Sequence, residues 1–414
     1  MKSVWARLLI LFTVVSLIEA VFYGSLSAFI PLHLPELGIA RADVQPWVGA
    51  ITSFASLVGI PLVPIWGTLA DRFSRKFVIV RSFVIHLVAT VVMLAAPNVW
   101  VFAAGRALLG FANGDTALML ATMAERAPAG RLGFAFAVIN SSLSVGSFTG
   151  ALAGGPIVDR FGFNTLLAGI GVLLFGVVIA LLVAYRETPR KRTSRPILVM
   201  TFESIRIITR SPALLILFIA QFAVGTGWML VYTYAPLVVT SMHTGPDPGT
   251  TVGIVMAVGG LGTLLLGPLI GSTADKVGYW RALLTVVAVV ICLWVGLTFV
   301  RDLGAFMPLW AILNGVMSSV SSLAFNIVSN VVDNDARGRI MAFAYLPLNF
   351  GSFVGPALGS LITGISLYAI FPAAAMRSSS SLSTKVSTRL TKKEATDAIV
   401  SGRPFFARWV RPAR

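Results

Sequence analysis

Glu19 stands in the middle of the apolar run 5–32. A carboxylate at the centre of a membrane helix costs roughly 2.5–3.5 kcal/mol on insertion scales, so such a residue points to a task. Thr13, Ser16, Glu19, Tyr23 and Ser27 follow at spacings of 3, 3, 4 and 4. That rhythm lays one polar stripe along one helix face, toward a cavity. A carboxyl there can bind and release a proton, or attract a cation. Competition between the two would couple one to the other. The plainer reading is a carboxyl tied to a neighbouring helix.

Arg106 and Asp115 share the apolar run 99–124. In a regular helix the nine intervening steps of about 100° put them on opposite faces. Arg106 then shares its face with Gly110 and Asn113 and points into the cavity. Asp115 turns away toward another helix and is a second protonation candidate. Arg81 and His86 are possible partners for it, although Arg81 can also snorkel to the interface. In the run 212–240, Gln221, Gly225, Trp228 and Tyr232 follow at 4, 3 and 4, again one face. Aromatic faces opposite a carboxylate suit amphipathic cations; they also suit simple packing. Asn140, Ser144, Asn314, Ser318 and Ser322 either line the same cavity or bond between helices.

Other chemistries find little support. His33, His86 and His243 have no metal-ligand spacing, and no nucleophile–base arrangement is apparent. Cys292 is the single cysteine and lies in an apolar run, so neither a disulfide nor a cysteine metal site follows. The phosphate-binding pattern G-x-x-x-x-G-K-[ST] is absent. No enzyme activity and no cofactor are expected.

The elements that must hold these residues are membrane helices. The chain is 57% hydrophobic and 12% charged, with mean hydropathy +0.87, against about 25% charged residues in soluble proteins. Runs long enough to cross a bilayer core of about 30 Å lie near 5–32, 46–70, 77–96, 99–124, 132–158, 164–185, 212–240, 250–273, 281–300, 306–330 and 339–364. Helices are expected, because a lipid-exposed backbone must satisfy its own hydrogen bonds. The alternation of a membrane β-barrel is missing. The first run is longer than a signal-peptide core and lacks its small-residue cleavage pattern.

The formal charge of +16 suggests nucleic acid until its distribution is read. With the N-terminus in the cytoplasm, inward loops hold Arg72, Arg75, Lys76, Arg126, Arg131, a cluster from Arg186 to Arg210, Lys276, Arg281, Arg337 and Arg339. Outward loops hold only Arg41, Arg160 and Arg301. Positive charge concentrated inside sets that orientation. The partner of this charge is the lipid bilayer, and no nucleic acid is expected.

The basic loop 186–211 splits the chain into a bundle over 1–185 and a second over 212–376, with a basic tail over 377–414. Three pairs of motifs point to duplication. The charged stretch Gly67-Thr68-Leu69-Ala70-Asp71-Arg72-Phe73-Ser74-Arg75-Lys76 returns, weakened, as Gly271-Ser272-Thr273-Ala274-Asp275-Lys276, with Asp71 and Asp275 204 residues apart. Gly146-Ser147-Phe148-Thr149-Gly150 returns as Gly351-Ser352-Phe353-Val354-Gly355 at an offset of 205. Phe29-Ile30-Pro31-Leu32 corresponds to Tyr234-Ala235-Pro236-Leu237 at the same offset. A nearly constant offset across three spans is the mark of a repeat, and membrane transporters are often built from repeats. Asp71 can cap the third helix or pair with Arg75, and Glu125 at the end of the fourth span can join them.

These residues resemble the major facilitator superfamily, and within it the drug:proton antiporters. The decapeptide matches that family's G-x-L-A-D-R-x-x-R-K signature. Arg106 to Gly110 looks like its R-x-x-x-G signature. Gly146, Gly150, Gly154 and Gly155 resemble its G-x-x-x-G-P-x-x-G-G signature. Ala151 replaces the proline there, whereas Gly355-Pro356 keeps it. The resemblance covers about residues 5–365. It implies an all-helical membrane fold of two six-helix bundles working by alternating access, without ATP, on a proton gradient. It implies that Gly67, Asp71, Arg72, Arg75, Lys76 and Glu125, with Gly271 and Asp275 in the copy, form a cytoplasmic gate, and that Arg106 takes part in proton coupling. Gly146, Gly150, Gly154, Gly351, Gly355 and Pro356 read as close helix packing.

The end of the chain departs from this pattern. After Gly364 the apolar run 365–376 is only about twelve residues, some 18 Å of helix, and contains Pro372. Arg377, Ser378–Ser381 and a tail follow; the region after Met376 holds nine Lys and Arg. A twelfth helix truncated or replaced, for instance by a reading-frame shift, is the first account. A half-inserted segment that returns the tail to the cytoplasm is the second.

The expectation is therefore a monomeric, multi-pass protein of the plasma (bacterial inner) membrane. It would export small amphipathic or cationic compounds in exchange for protons, with Glu19, Arg106 and Asp115 in the coupling and Tyr23, Asn113, Asn140, Gln221, Trp228, Tyr232 and Asn314 around the small-molecule substrate. A facilitator-type transporter of a sugar or amino acid is the nearest rival, and a membrane sensor or enzyme a more distant one.

Overall fold

The computed structural model describes residues 2–62, 66, 74–128, 131–187, 206, 208–331 and 346–383. Thirteen α-helices matter here. The first half holds α1 (Lys2–His33), α2 (Val44–Gly59), α3 (Arg75–Leu94), α4 (Val99–Leu108), α5 (Asp115–Arg126), α6 (Leu132–Phe161) and α7 (Phe163–Ala184). The second holds α8 (Pro212–Met242), α9 (Pro248–Val277), α10 (Tyr279–Leu297), α11 (Leu303–Val331), α12 (Leu346–Ile362) and α13 (Ile370–Ser383). Nine helical segments among the described residues are long and apolar enough to cross a membrane. No strand occurs among the described residues.

Local chemistry sets the helix ends. Asn98 accepts from the Trp100 and Val101 amides at 3.1 Å and caps α4. Pro212 and Pro248 stand in the first turns of α8 and α9, where no helical donor is lost. Gly162 and Gly278 turn the chain between helices with φ of 81° and 91°.

The fourth span is not one helix. α4 ends at Leu108, a 3₁₀ turn runs over Leu109–Ala112, and Gly114 at φ 108° starts α5 afresh. A residue with a Cβ resists that φ.

Buried aromatic residues fill the core of each half: Phe12, Phe22, Phe29, Phe83, Phe102 and Phe163 in the first, Trp294, Phe306, Trp310 and Phe371 in the second. Large apolar side chains such as Val172, Phe175, Val183, Leu265 and Leu269 point outward. In water such a surface would be unfavourable; in lipid it is the expected exterior.

The two halves repeat their contacts as well as their letters. A Cβ built on Gly150 would lie 2.5 Å from the Val21 carbonyl oxygen, and one on Gly355 would lie 2.6 Å from the Thr226 carbonyl oxygen. Gly154 and Gly359 meet the rings of Phe29 and Tyr234 in the same way. Each of these four correspondences is 205 residues long. The expected packing role of Gly146, Gly150, Gly154, Gly351 and Gly355 therefore has a concrete form: α6 against α1, and α12 against α8. Pro356 offers its carbonyl to the Tyr234 hydroxyl at 3.0 Å.

Two expectations about the second half change. The copy Gly271–Lys276 is no loop: it forms the last turns of α9, and the turn comes at Gly278. α13 runs through the serine stretch to Ser383, seven residues past the expected end of the bundle at 376. Its 14 residues cover about 21 Å, still short of a full span.

Candidate functional site

Glu19, Tyr23, Arg106, Asn113 and Asp115 line one cavity of about 280 Å³ between the halves. Ala55, Ser56 and Ile60 of the second span border it, and α12 supplies Asn349 and Ser352. Glu19 and Asp115 are both buried. Glu19 lies close enough to Asp115 and Thr116 to interact with both. One oxygen of each carboxyl has no partner among the described residues.

The expected separation of Arg106 and Asp115 is corrected here. The break at Asn113-Gly114 cancels the helical phase that put them on opposite faces, so both line the same cavity. Asparagine–glycine is a turn dipeptide, and that signal was present in the sequence.

Around the pair the first half supplies a polar wall. The Tyr23 hydroxyl and His86 Nε2 share a hydrogen bond of 3.1 Å, and Arg106 lies close enough to Tyr23 to interact with it. Arg81 does not snorkel away. Its guanidinium stacks 3.4 Å from the Trp66 ring centroid and donates to the Asn113 carbonyl oxygen at 3.0 Å. The break frees that carbonyl from the helical ladder. Arg81 thus caps the end of the first half-helix, while Asp115 occupies the first turn of the second. A Cβ on Gly114 would meet the Trp66 Cβ at 3.2 Å, so Trp66 packs directly on the break.

Five expected cavity residues are not among those lining it. Asn140 is exposed and bonds back to the Phe136 carbonyl at 2.9 Å. Gln221 is buried on α8. Trp228 and Tyr232 stack on Trp310, with centroids 6.0 and 6.4 Å apart. Asn314 donates to the Trp310 carbonyl at 2.8 Å. A helical stripe tells which residues share a face, not what faces them; here Trp310 fills the space the stripe looks onto. What the second half brings to the cavity instead is the short polar pair of Asn349 and Ser352.

Of the expected gate, Gly67, Asp71 and Arg72 lie outside the described residues. Arg75 and Glu125 do pair, at 3.2 Å, and Arg75 also reaches Thr122 at 3.5 Å. Lys76 donates through its ammonium to the Leu182 carbonyl at 2.7 Å. Glu187, unnoticed in the sequence, accepts from the Ser74 hydroxyl and from the Arg75 and Lys76 amides at 2.7 and 3.3 Å. It thereby caps α3 from the far end of the bundle. Among the described residues Gly271 and Asp275 take no part in a comparable cluster: Asp275 accepts from the Tyr279 hydroxyl at 2.8 Å, one turn along.

Among the described residues the halves meet from mid-helix to the opposite end. The Ser53 hydroxyl donates to the Phe353 carbonyl at 2.9 Å. Asp159 of α6 accepts from the Gly249 and Thr250 amides of α9 at 2.8 and 2.6 Å. Gly253 lies against Ala151, and Gly260 against Phe148.

Two repeated helical bundles around one polar, ionisable cavity, with an apolar exterior, define a membrane transporter. The model of the Major Facilitator Superfamily matches residues 12–356, and the chain belongs to that family, whose members are transporters rather than enzymes. It is 25% identical over 345 residues to a protein of Lactococcus lactis subsp. lactis (strain IL1403) named "Multi-drug resistance efflux pump PmrA homolog", covering 82% of this chain and 84% of that one. It is 26% identical over 371 residues to "Multidrug resistance protein MdtG" of Yersinia enterocolitica serotype O:8 / biotype 1B (strain NCTC 13174 / 8081), covering 87% of each. Among solved structures, the nucleoside transporter NupG superposes with a TM-score of 0.73 at 14% identity, covering 92% of this chain and 96% of that one. The last comparison speaks for the fold alone.

Proposed function

We infer that the chain exports small amphipathic or cationic compounds in exchange for protons, by alternating access, across the plasma (bacterial inner) membrane with its N-terminus in the cytoplasm. One observation carries this reading: Glu19 and Asp115 are both buried and line one cavity between the halves, close enough to interact. Two buried carboxylates this close repel one another unless one of them carries a proton. A cation entering the cavity finds its best partner in the ionised pair, so its arrival and the proton exclude one another. Arg106 opposes a second positive charge and favours release once the proton returns. The efflux relatives support the direction and the class of substrate.

The rival reading, a facilitator for a polar metabolite, gains from Asn349 and Ser352, which suit hydroxyl-bearing ligands. It gives no role to a buried carboxyl pair. Right-side-out vesicles loaded with a cationic dye decide between them. Under an imposed pH gradient the wild type should extrude the dye, and Glu19→Gln should lose gradient-driven efflux by roughly tenfold or more, the equivalent of 1.4 kcal/mol. Undiminished efflux by Glu19→Gln would remove the carboxyl pair from the mechanism.

A further inference from the structure

The contact between Asp159 and the start of α9 has no task in the cavity, yet it is the most directional bond between the halves. The first amides of a helix lack helical acceptors, and the helix dipole gives them partial positive charge. The residue placed to cap α9 from its own chain neighbourhood is Asp247, which makes no side-chain cap. Asp159, from the other half, does it with both oxygens: Oδ1 to Gly249 and Oδ2 to Thr250. Around it the backbones approach closely. A Cβ on Gly155 would lie 2.6 Å from the Gly249 carbonyl oxygen, and one on Gly253 would lie 2.4 Å from the Ala151 carbonyl oxygen.

We propose that Asp159 is the latch of the outer gate: its carboxylate holds α9 against α6 while the outer end is shut, and this bidentate bond must break each time the cavity opens outward. This rests on the alternating-access reading above. A hydrogen bond to a charged group between two movable bodies is suited to the task, because it is strong when aligned and vanishes within a small displacement. The glycines beside it supply close fit but no direction. The position 205 residues after Asp159 is Gly364, so the repeat furnishes no second latch of this kind.

The test uses the full-length protein in nanodiscs. Cys292, which is exposed, is replaced by Ser, and spin labels are placed at Asn164→Cys and Thr244→Cys, exposed positions at the same end of the two halves. Pulsed dipolar spectroscopy then reads the separation of the halves. With Asp159→Ala the closed, short-distance population should fall roughly tenfold relative to the open one, as expected for losing hydrogen bonds to a charged group. Asp159→Asn, which keeps one acceptor, should fall in between. Thr250→Pro removes one donor from the first helical turn without touching Asp159. It should shift the same populations, and combining it with Asp159→Ala should add little. If Asp159→Ala folds poorly, Thr250→Pro carries the test. Unchanged distances in these variants overturn the latch. A wild-type distance that also ignores a cationic dye and a pH step overturns alternating access itself.

Discussion

Gly154 lies against the ring of Phe29 as Gly359 lies against the ring of Tyr234, with both members of the pair displaced by 205 residues. Duplication here has kept a contact, not merely a motif. The neighbouring pair is less forgiving, since Gly150 and Gly355 meet backbone oxygens that cannot turn aside.

Gly150→Leu and Gly355→Leu should therefore be comparably damaging. Forcing a larger side chain into a well-packed interface costs about 1–3 kcal/mol, sometimes more. Melting of purified protein in detergent checks this. Gly176, with open space around its missing Cβ, provides the control and should tolerate Ala with little change.

Proton release should accompany substrate binding at the Glu19–Asp115 pair. Adding a cationic dye to purified protein in weak buffer should acidify the medium, and a pH indicator reads the amount. Asp115→Asn leaves one carboxyl without its partner and should abolish most of the release while dye still binds. Release that persists in the Glu19→Gln, Asp115→Asn double variant would place the proton elsewhere.

The break in the fourth span should be fragile at one residue. Gly114→Ala forces a Cβ into the left-handed region, at about 1–2 kcal/mol, and presses it on Trp66. Transport should fall more than folding, because Asp115 moves with the break. Trp66→Ala should relieve the crowding but not the backbone strain, so the double variant should recover only part of the activity in vesicle efflux.

Glu187 should matter to stability more than its place at the edge of the basic linker suggests. Glu187→Ala removes the acceptor for two amides and one hydroxyl at the start of α3. Loss of a helix cap costs about 0.5–2 kcal/mol. A lowered melting temperature with an unaltered pH dependence of efflux is expected, since Glu187 lies apart from the cavity.

The sequence announces what is periodic. The repeat, the spans, the glycine faces and Glu19 in its stripe are all legible because helical geometry turns spacing into position. What escaped depends on a departure from that geometry or on meetings across the chain. Asp115 looked averted from Arg106 only while the fourth span was taken as continuous; Asn113-Gly114 resets its phase. The seventh-span stripe does share a face, but Trp310, about eighty residues on, decides what that face touches. Glu187 and Asp159 look like ordinary loop carboxylates, because the helix starts they cap belong to other parts of the chain.

The glycine contacts have a mechanical consequence. α1 with α6, and α8 with α12, are fastened by backbone-to-backbone approach inside each half. The polar fastenings described between the halves are few: Ser53 to Phe353, and Asp159 to α9. Close backbone approach also runs across the seam, at Gly155 on Gly249 and at Gly253 on Ala151, so the seam is as closely fitted as the bodies and differs from them in the directional bonds that cross it.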